Sequence, residues 1–406
     1  MDVLRTNRIP KGFFEMRKRI LMLLGNSFGP DPRVLKEATS LVRNGAEVTI
    51  LAWDRERRLP LEESMKGIQI KRLRVRSRFG RGIGQLPFLV IVFSRFVVYG
   101  IFHRFDVIHA HDFDTLPAGV LIKIGKLFRI KLVYDSHENF PVQKALELPA
   151  FAFPLMNILE KLCIKFVDQI FTASSILQEE FSRKYSPPVV WLPNFADKDD
   201  FSIPAETIAE LRRKIGFQEN DFVVAYIGGL RPARAITPLI AAVAARPSVK
   251  AFICGSGEQR ENVGSLARAT GNVKYLGGIP QSDVVPYYFA CDILYYGLID
   301  YPGAVYNAPN NFSYAMLAEK PIIGTGVGDL GRFVRESGCG IVINEATEEN
   351  IGSVLDILSN DPSIYKNMRD RVHSVGKIKY HWGVVEQRLL VAYATLLNWE
   401  INAQAA

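Results

Sequence analysis

The chain has 406 residues, 48% of them hydrophobic and 23% charged, which is enough to bury a large core and predicts two domains. Its four cysteines (Cys163, Cys254, Cys291 and Cys339) are far apart and form no CxxC pair. That argues against a zinc ribbon or a disulfide framework and predicts a reducing, cytoplasmic setting. The net charge of +8 is uneven: residues 1–100 hold 20 Lys and Arg against 9 Asp and Glu, and the remainder 30 against 33.

In chain order, the N-terminal apolar run before Gly25 is too short for a signal segment and reads as a first buried strand. "RILMLL" and "EVTILAW" are short apolar runs rich in strand formers, with the helical "PRVLKEATSLVRNG" between them. In "KRLRVRSR", Arg72, Arg74, Arg76 and Arg78 alternate with apolar residues, so at strand period they share one face. That face is either a solvated edge or a surface for anionic lipid or nucleic acid. "LPFLVIVFSRFVVYGIF", residues 86–102, is interrupted by Arg95 and too short to span a bilayer with ease, so it reads as a buried or surface-bound helix.

"DVIHAH", "KLVYDS", "DQIFTAS" and "VVWLP" continue the strand series, with helical stretches such as "TLPAGVLIKIGKLF" among them. After a polar, acidic stretch at about 196–221 the alternation restarts with "FVVAYIGG", "VKAFICG", "CDILYYG", "KPIIGTG" and "GIVI". Near-continuous apolar strands separated by helices imply parallel sheets covered on both faces. The predicted fold is therefore α/β, with two doubly wound Rossmann-like domains facing a central cleft. The predicted domains are 1–200 and 201–382, with a closing helix at 383–400 packing back on the first.

Several turns have the composition of ligand sites. Gly25 and Gly29 in "LLGNSFGPDPRV" leave room for a ligand beside a helix N-terminus, although the pattern is not GxGxxG. In "YIGGLRPARAITPLI", Gly228 and Gly229 leave a strand while Arg231 and Arg234 precede a helix, a composition suited to a diphosphate. In "DVIHAHDFDTLP", His109, His111 and Asp112 have the residue types of a metal site, or His109 is a strand-core residue. His137 in "YDSHENF" follows a strand end, where it either serves the chemistry of a substrate oxygen or caps the next segment. Asn310 and Asn311 stand where a helix begins.

Taken together, "GPDPRVLKEATSLVRNGAEVTILA", "DVIHAHDFDTLPAG", "KLVYDSHE", "WLPNFAD" and "YIGGLRPARAITPLI" resemble the retaining GT-B glycosyltransferases of family 4, over about residues 19–397. The resemblance implies transfer of a sugar from a UDP- or GDP-linked donor to a glycan or lipid-linked acceptor, with no metal or other cofactor. It implies His137 and Arg234 as catalytic residues. It implies a donor site of Gly25, Gly29, Gly228, Gly229, Arg231, Asn310, Asn311 and Tyr314. Asp31, Arg33, His111 and Asp112 would lie on acceptor-side loops. The implied partners are the nucleotide sugar and the acceptor, with an anionic membrane surface on the inner face of the cell membrane as a candidate and no nucleic acid.

The chain departs from the family pattern at two positions. Tyr306 and Tyr314 stand where relatives carry two glutamates, so a catalytically degenerate protein that binds glycan or supports a partner is the alternative.

Overall fold

The computed structural model describes residues 17–29, 31–77, 84, 86–144, 152–307 and 310–399. They form two compact units that divide after Val133.

The first unit holds β1 (Arg19–Leu24), α1 (Pro32–Arg43), β2 (Glu47–Trp53), β3 (Glu62–Met65), β4 (Ile68–Leu73), α2 (Leu86–Phe102), β5 (Val107–His111) and α3 (Leu116–Gly125). Its strand order is β3-β4-β2-β1-β5. β1 pairs in parallel with β2 and β5, and only β3 runs antiparallel, against β4. β1 is buried from Ile20 to Leu24 because helices cover both faces of the sheet, as its unbroken apolar run predicts.

β6 (Lys131–Ser136) crosses the division between the units. The second unit continues with α4 (Phe140–Lys144), α5 (Ala152–Ile164), β7 (Gln169–Thr172), α6 (Ser175–Lys184), β8 (Val189–Trp191) and α7 (Ala205–Ile215). Next come β9 (Phe222–Ile227), α8 (Ile236–Ala244), β10 (Val249–Cys254), α9 (Arg260–Ala269), β11 (Val273–Gly277), α10 (Val285–Ala290) and β12 (Ile293–Tyr296). The chain ends with α11 (Asn311–Leu317), β13 (Ile322–Thr325), α12 (Gly328–Ser337), β14 (Gly340–Ile343), α13 (Glu348–Asn360), α14 (Pro362–Lys379) and α15 (Trp382–Leu397).

The parallel six-stranded sheet runs β11-β10-β9-β12-β13-β14, so the strand order reverses between β9 and β12. One core lies on each face, one around Phe252, Phe312 and Met316 and the other around Tyr226, Ile253 and Tyr295. The chain thus consists of two Rossmann-like α/β domains with parallel sheets.

Compactness divides the chain well ahead of the polar stretch at 196–221, and side-chain bonds explain why. Buried Asp329 on α12 accepts from the Ser175 N–H at 2.8 Å and from its hydroxyl at 2.6 Å, tying the start of α6 to the six-stranded domain. Burial pushes the Asp329 carboxyl up, and the Ser175 bonds pull it part of the way back. The Arg388 guanidinium of α15 lies 4.8 Å over the Trp191 ring at the end of β8, and Phe171 of β7 meets Tyr393 at 6.1 Å.

The arginine-faced strand is a misreading. β4 stops at Leu73, and Arg72 is buried. It donates to the carbonyls of Ser27, Pro60 and Phe28 and pairs with Glu63 at 2.5 Å. Arg74 donates to the Leu59 carbonyl, Arg76 is exposed, and Arg78 lies outside the described residues. A guanidinium with five donors satisfies three carbonyls at once, so Arg72 serves as a buried clamp on the loop after β1.

Replacing Asp329 with Ala leaves a buried Ser175 N–H without its acceptor and should lower unfolding free energy by about 1–3 kcal/mol. Arg332→Ala, which removes an exposed pair with Glu179 and Glu336, should cost no more than about 1 kcal/mol. Urea denaturation of the two variants checks the contrast.

Candidate functional site

The carboxyl ends of β9, β10 and β11 open into a cavity of about 230 Å³ within the second unit. Ile227, Gly228 and Gly229 line it from β9, Cys254, Gly255 and Ser256 from β10, and Gly278, Ile279 and Gln281 from the turn after β11. Val284 and Tyr288 close one side, and Asn310, Asn311 and Tyr314 the other. It lies beside the place where strand order reverses, the usual ligand position in an open parallel sheet.

The cavity exists because two turns meet backbone to backbone. The Gly228 N–H donates to the Cys254 carbonyl at 3.0 Å, and the Leu230 N–H to Ser256 at 2.9 Å. Gly255 has φ 153°, and a Cβ there would overlap the Gly228 carbonyl oxygen. At Gly229, by contrast, a Cβ would meet nothing within 4 Å, so this glycine is open space beside the cavity.

Arg231 and Arg234 continue the same turn. Arg231 is exposed. Arg234 ends a short 3-10 turn before α8, and its guanidinium sits 4.7 Å over the Tyr296 ring. One Nη reaches Asn307 Oδ1 at 3.5 Å, while the other is buried with no hydrogen-bond partner among the described residues. A buried guanidinium N–H without an acceptor is costly, and a bound anion would satisfy it. Burial pushes the Tyr296 phenol up to about 12, ahead of the opposing influence of Arg234, so it stays neutral under the cation.

On α11, Asn311 begins the helix and Asn310 takes the cap position with no side-chain cap bond. The Asn311 amide serves the protein itself: Nδ2 donates to the Ile227 carbonyl at 2.5 Å, and Oδ1 accepts from the Tyr288 hydroxyl at 3.2 Å. Asn311 therefore lines the cavity and also braces β9 against α10. Tyr314 is half-buried and lines the cavity, its ring set between Phe201 at 5.2 Å and Tyr288 at 5.0 Å. Its hydroxyl accepts from Gln281 Nε2 at 2.7 Å. Tyr306 instead donates to Glu180 at 2.6 Å.

Sequence reasoning missed Gly255, Ser256 and Gln281. "ICGSG" has the same strand-then-glycine signal as "YIGG" and was open to the same argument. Gln281 has no such signal, because only the fold brings it to Tyr314.

His137 follows β6, half-buried, with Nε2 3.0 Å from the buried Asp135 carboxylate. A carboxylate partner fixes the orientation of the ring.

In the first unit a second cavity, of about 370 Å³, is lined by Gly25, Asn26, Ser27, Gly29, Trp53, Asp54, Arg55, Glu56, Arg58 and Leu59. A Cβ on Gly25 would overlap the Asp114 carboxylate, so that glycine makes room for a side chain. The start of α1 is capped by Asp31, which accepts from the N–H groups of Arg33 and Val34.

Two of the expected acceptor-loop residues lie inside secondary structure. Arg33 is buried in α1, 3.2 Å from Glu37, and His111 is buried as the last residue of β5. Asp112 follows at φ 62°. His109 is a strand-core residue, stacked on His111 at 4.2 Å with Glu37 3.9 Å away.

Comparison with known proteins fits this geometry. Residues 28–194 match the glycosyl transferase 4-like domain, and residues 207–375 match glycosyl transferases group 1. An uncharacterized glycosyltransferase of Methanocaldococcus jannaschii is 23% identical over 371 residues, covering 88% of this chain and 91% of that protein. Sucrose-phosphate synthase of Thermosynechococcus elongatus has a similar structure, with a TM-score of 0.74 at 16% identity over 94% of this chain and all of that one. So does Anabaena HepE in complex with UDP-glucose, at 0.69 and 17% over 93% of this chain and 99% of that one.

Gly255→Ala should drive the two turns apart. The strain expected is about 1–3 kcal/mol, read as a lowered Tm, together with loss of any ligand that the cavity holds. Gly229→Ala, in open space, should leave Tm unchanged.

Proposed function

We propose that this chain, a glycosyltransferase built of a 4-like domain followed by a group 1 domain, moves a sugar from a nucleotide-sugar donor to a glycan or lipid-linked acceptor with retention of configuration and without a metal. The observation that carries this reading is Arg234. It is a cation on the short turn that follows Gly228 and Gly229, with a buried N–H that has no hydrogen-bond partner among the described residues. The UDP-glucose complex of HepE supports a uridine nucleotide as the first donor class to try.

In this reading the diphosphate lies along Gly228 and Gly229 with Arg234 neutralising it, and Arg231 adds a second, mobile charge. Charge that grows on the departing phosphate is then stabilised by a group already in place, which is how such a site lowers a barrier. His137, oriented by Asp135, contacts the transferred sugar, and the leaving phosphate takes the acceptor proton. Tyr314 takes the ribose. A phenol offers one donor and a ring face where a carboxylate would accept from two hydroxyls. Burial raises the Tyr314 phenol, so it remains a neutral donor.

The deciding experiment is a thermal-shift screen of UDP- and GDP-sugars, followed by mass spectrometry of products with glycan and lipid-linked acceptors. Binding with product formation supports transfer, and binding without any product leaves the degenerate alternative.

Arg234→Ala should weaken UDP binding by about 1.5–3 kcal/mol while leaving uridine nearly unaffected. Equal loss for both ligands, measured by calorimetry, would remove Arg234 from the phosphate site. His137→Ala should preserve UDP binding and reduce turnover by a factor on the order of 10². Tyr314→Phe should weaken binding of the donor modestly, and Tyr314→Glu should preserve or raise it. An unchanged affinity in both Tyr314 variants would place the ribose elsewhere.

A further inference from the structure

The cavity at the ends of β9, β10 and β11 has no Asp, Glu, Lys or Arg among its described lining residues. On its α11 side the polar side chains are spent on one another. The buried Tyr288 hydroxyl donates to Asn311 Oδ1 at 3.2 Å, and Asn311 Nδ2 donates to the Ile227 carbonyl at 2.5 Å. Gln281 Nε2 donates to the Tyr314 hydroxyl at 2.7 Å. What remains to offer a ligand here is neutral: the Tyr314 hydroxyl hydrogen and the amide oxygens of Gln281 and Asn310. Asn310 stands four residues before Tyr314, one helical turn away on the same face.

Among the described residues no anion takes the place of a carboxylate at this wall. Burial raises the Tyr314 phenol, the bond from Gln281 draws it back, and the charge of Asp200 adds to the rise. Burial likewise holds the Tyr288 phenol well above its ordinary value, so both phenols are neutral. Asp200 itself is exposed and does not line the cavity. The difference matters for a vicinal diol. Its two hydroxyl hydrogens fit the two oxygens of one carboxylate, and each of those bonds carries charge, so losing one is expensive. A hydroxyl bonded to a neutral amide or phenol gains little over the same hydroxyl in water. The Tyr288 and Tyr314 rings lie 5.0 Å apart, with Phe201 5.2 Å from Tyr314. A hydroxyl turned onto such an aromatic wall loses water and gains no acceptor.

We propose that this site reads the pentose of the donor nucleotide through one hydroxyl only, and so accepts 2′-deoxyribonucleotide donors about as readily as ribonucleotide ones. The inference rests on the reading that the cavity holds the donor nucleotide with Tyr314 at its pentose, and it extends the donor class to deoxynucleoside diphosphate sugars. The specificity-determining pair is Tyr314 with Gln281: a phenol stands where a carboxylate would read both hydroxyls, and Gln281 occupies a lone pair of that phenol. A ribonucleotide is accepted as well, since Gln281 is exposed and a second hydroxyl beside it keeps its contact with water.

Calorimetry of the full chain with nucleoside diphosphates and their 2′-deoxy forms, UDP against dUDP and GDP against dGDP, tests the proposal. In the pair that binds, the ribonucleotide should be no more than about 5-fold tighter than its deoxy form. Tyr314→Glu supplies the carboxylate and should restore a preference for the ribonucleotide of about 10-fold or more. Gln281→Glu, at an exposed position where the fold should hold, brings a carboxylate to the Tyr314 hydroxyl and should shift the ratio in the same direction. A larger wild-type preference for the ribonucleotide overturns the proposal and leaves the donor reading intact, as does a ratio that neither variant moves. Binding of no member of either pair overturns the donor reading and this inference with it.

Discussion

The second domain depends on one steric constraint, the direct contact of the β9 and β10 turns through their backbones. The Gly228 N–H reaches the Cys254 carbonyl, and the Gly255 backbone lies so near the Gly228 carbonyl oxygen that no side chain fits between them. Each turn thereby fixes the other. The Tyr226 hydroxyl adds a bond to the Gly229 carbonyl at 2.7 Å, and Asn311 ties the end of β9 to α11. With the turn held at both ends, Arg234 is carried to a set position over Tyr296 without being packed into the core. A preorganised cation of this kind needs no rearrangement when charge develops beside it.

The same bracing bears on the two tyrosines that depart from the family pattern. Tyr306 is engaged with Glu180, so its hydroxyl holds α6 to the segment before α11. Tyr314 differs, because its partner is Gln281, an exposed residue on a short turn. Its aromatic neighbours Phe201 and Tyr288 fix the ring while its hydroxyl sits at the cavity edge. One tyrosine therefore ties two segments together, and the other lines the cavity. A phenol held in this way offers a ring face and one hydrogen bond, where a carboxylate would offer two charged acceptors.

Much of the architecture was legible because buried parallel strands carry unbroken apolar runs, as in "RILMLL" and "FVVAYI", and glycines mark where such strands stop. β3 was not legible, since "EESM" has no strand pattern and is extended only because β4 offers it an edge. Arg72 was misread for a related reason. Alternation fixes which residues share a face, but the face itself depends on what covers the sheet. Here the loop after β1 covers it with two carbonyls turned toward the guanidinium, and Pro60, just before β3, adds a third. Gln281 was invisible to local patterns because its partner Tyr314 is distant in sequence and is supplied by packing, and packing likewise brings His109 to Glu37.

The positive charge of the first 100 residues suggested an anionic partner, and the structure redistributes that charge. Arg33 and Arg72 are consumed inside the unit against Glu37 and Glu63, and Arg19 pairs with Glu47. A count of charges therefore overstates what the surface presents, because a buried guanidinium is neutralised where it sits and contributes little field outside. The cations that face water together with apolar neighbours come from the α2 and α3 region, part of it beyond residue 100, and neither helix itself contains an acid. Net charge tells whether a partner of opposite sign is plausible, but burial decides which residues would meet it.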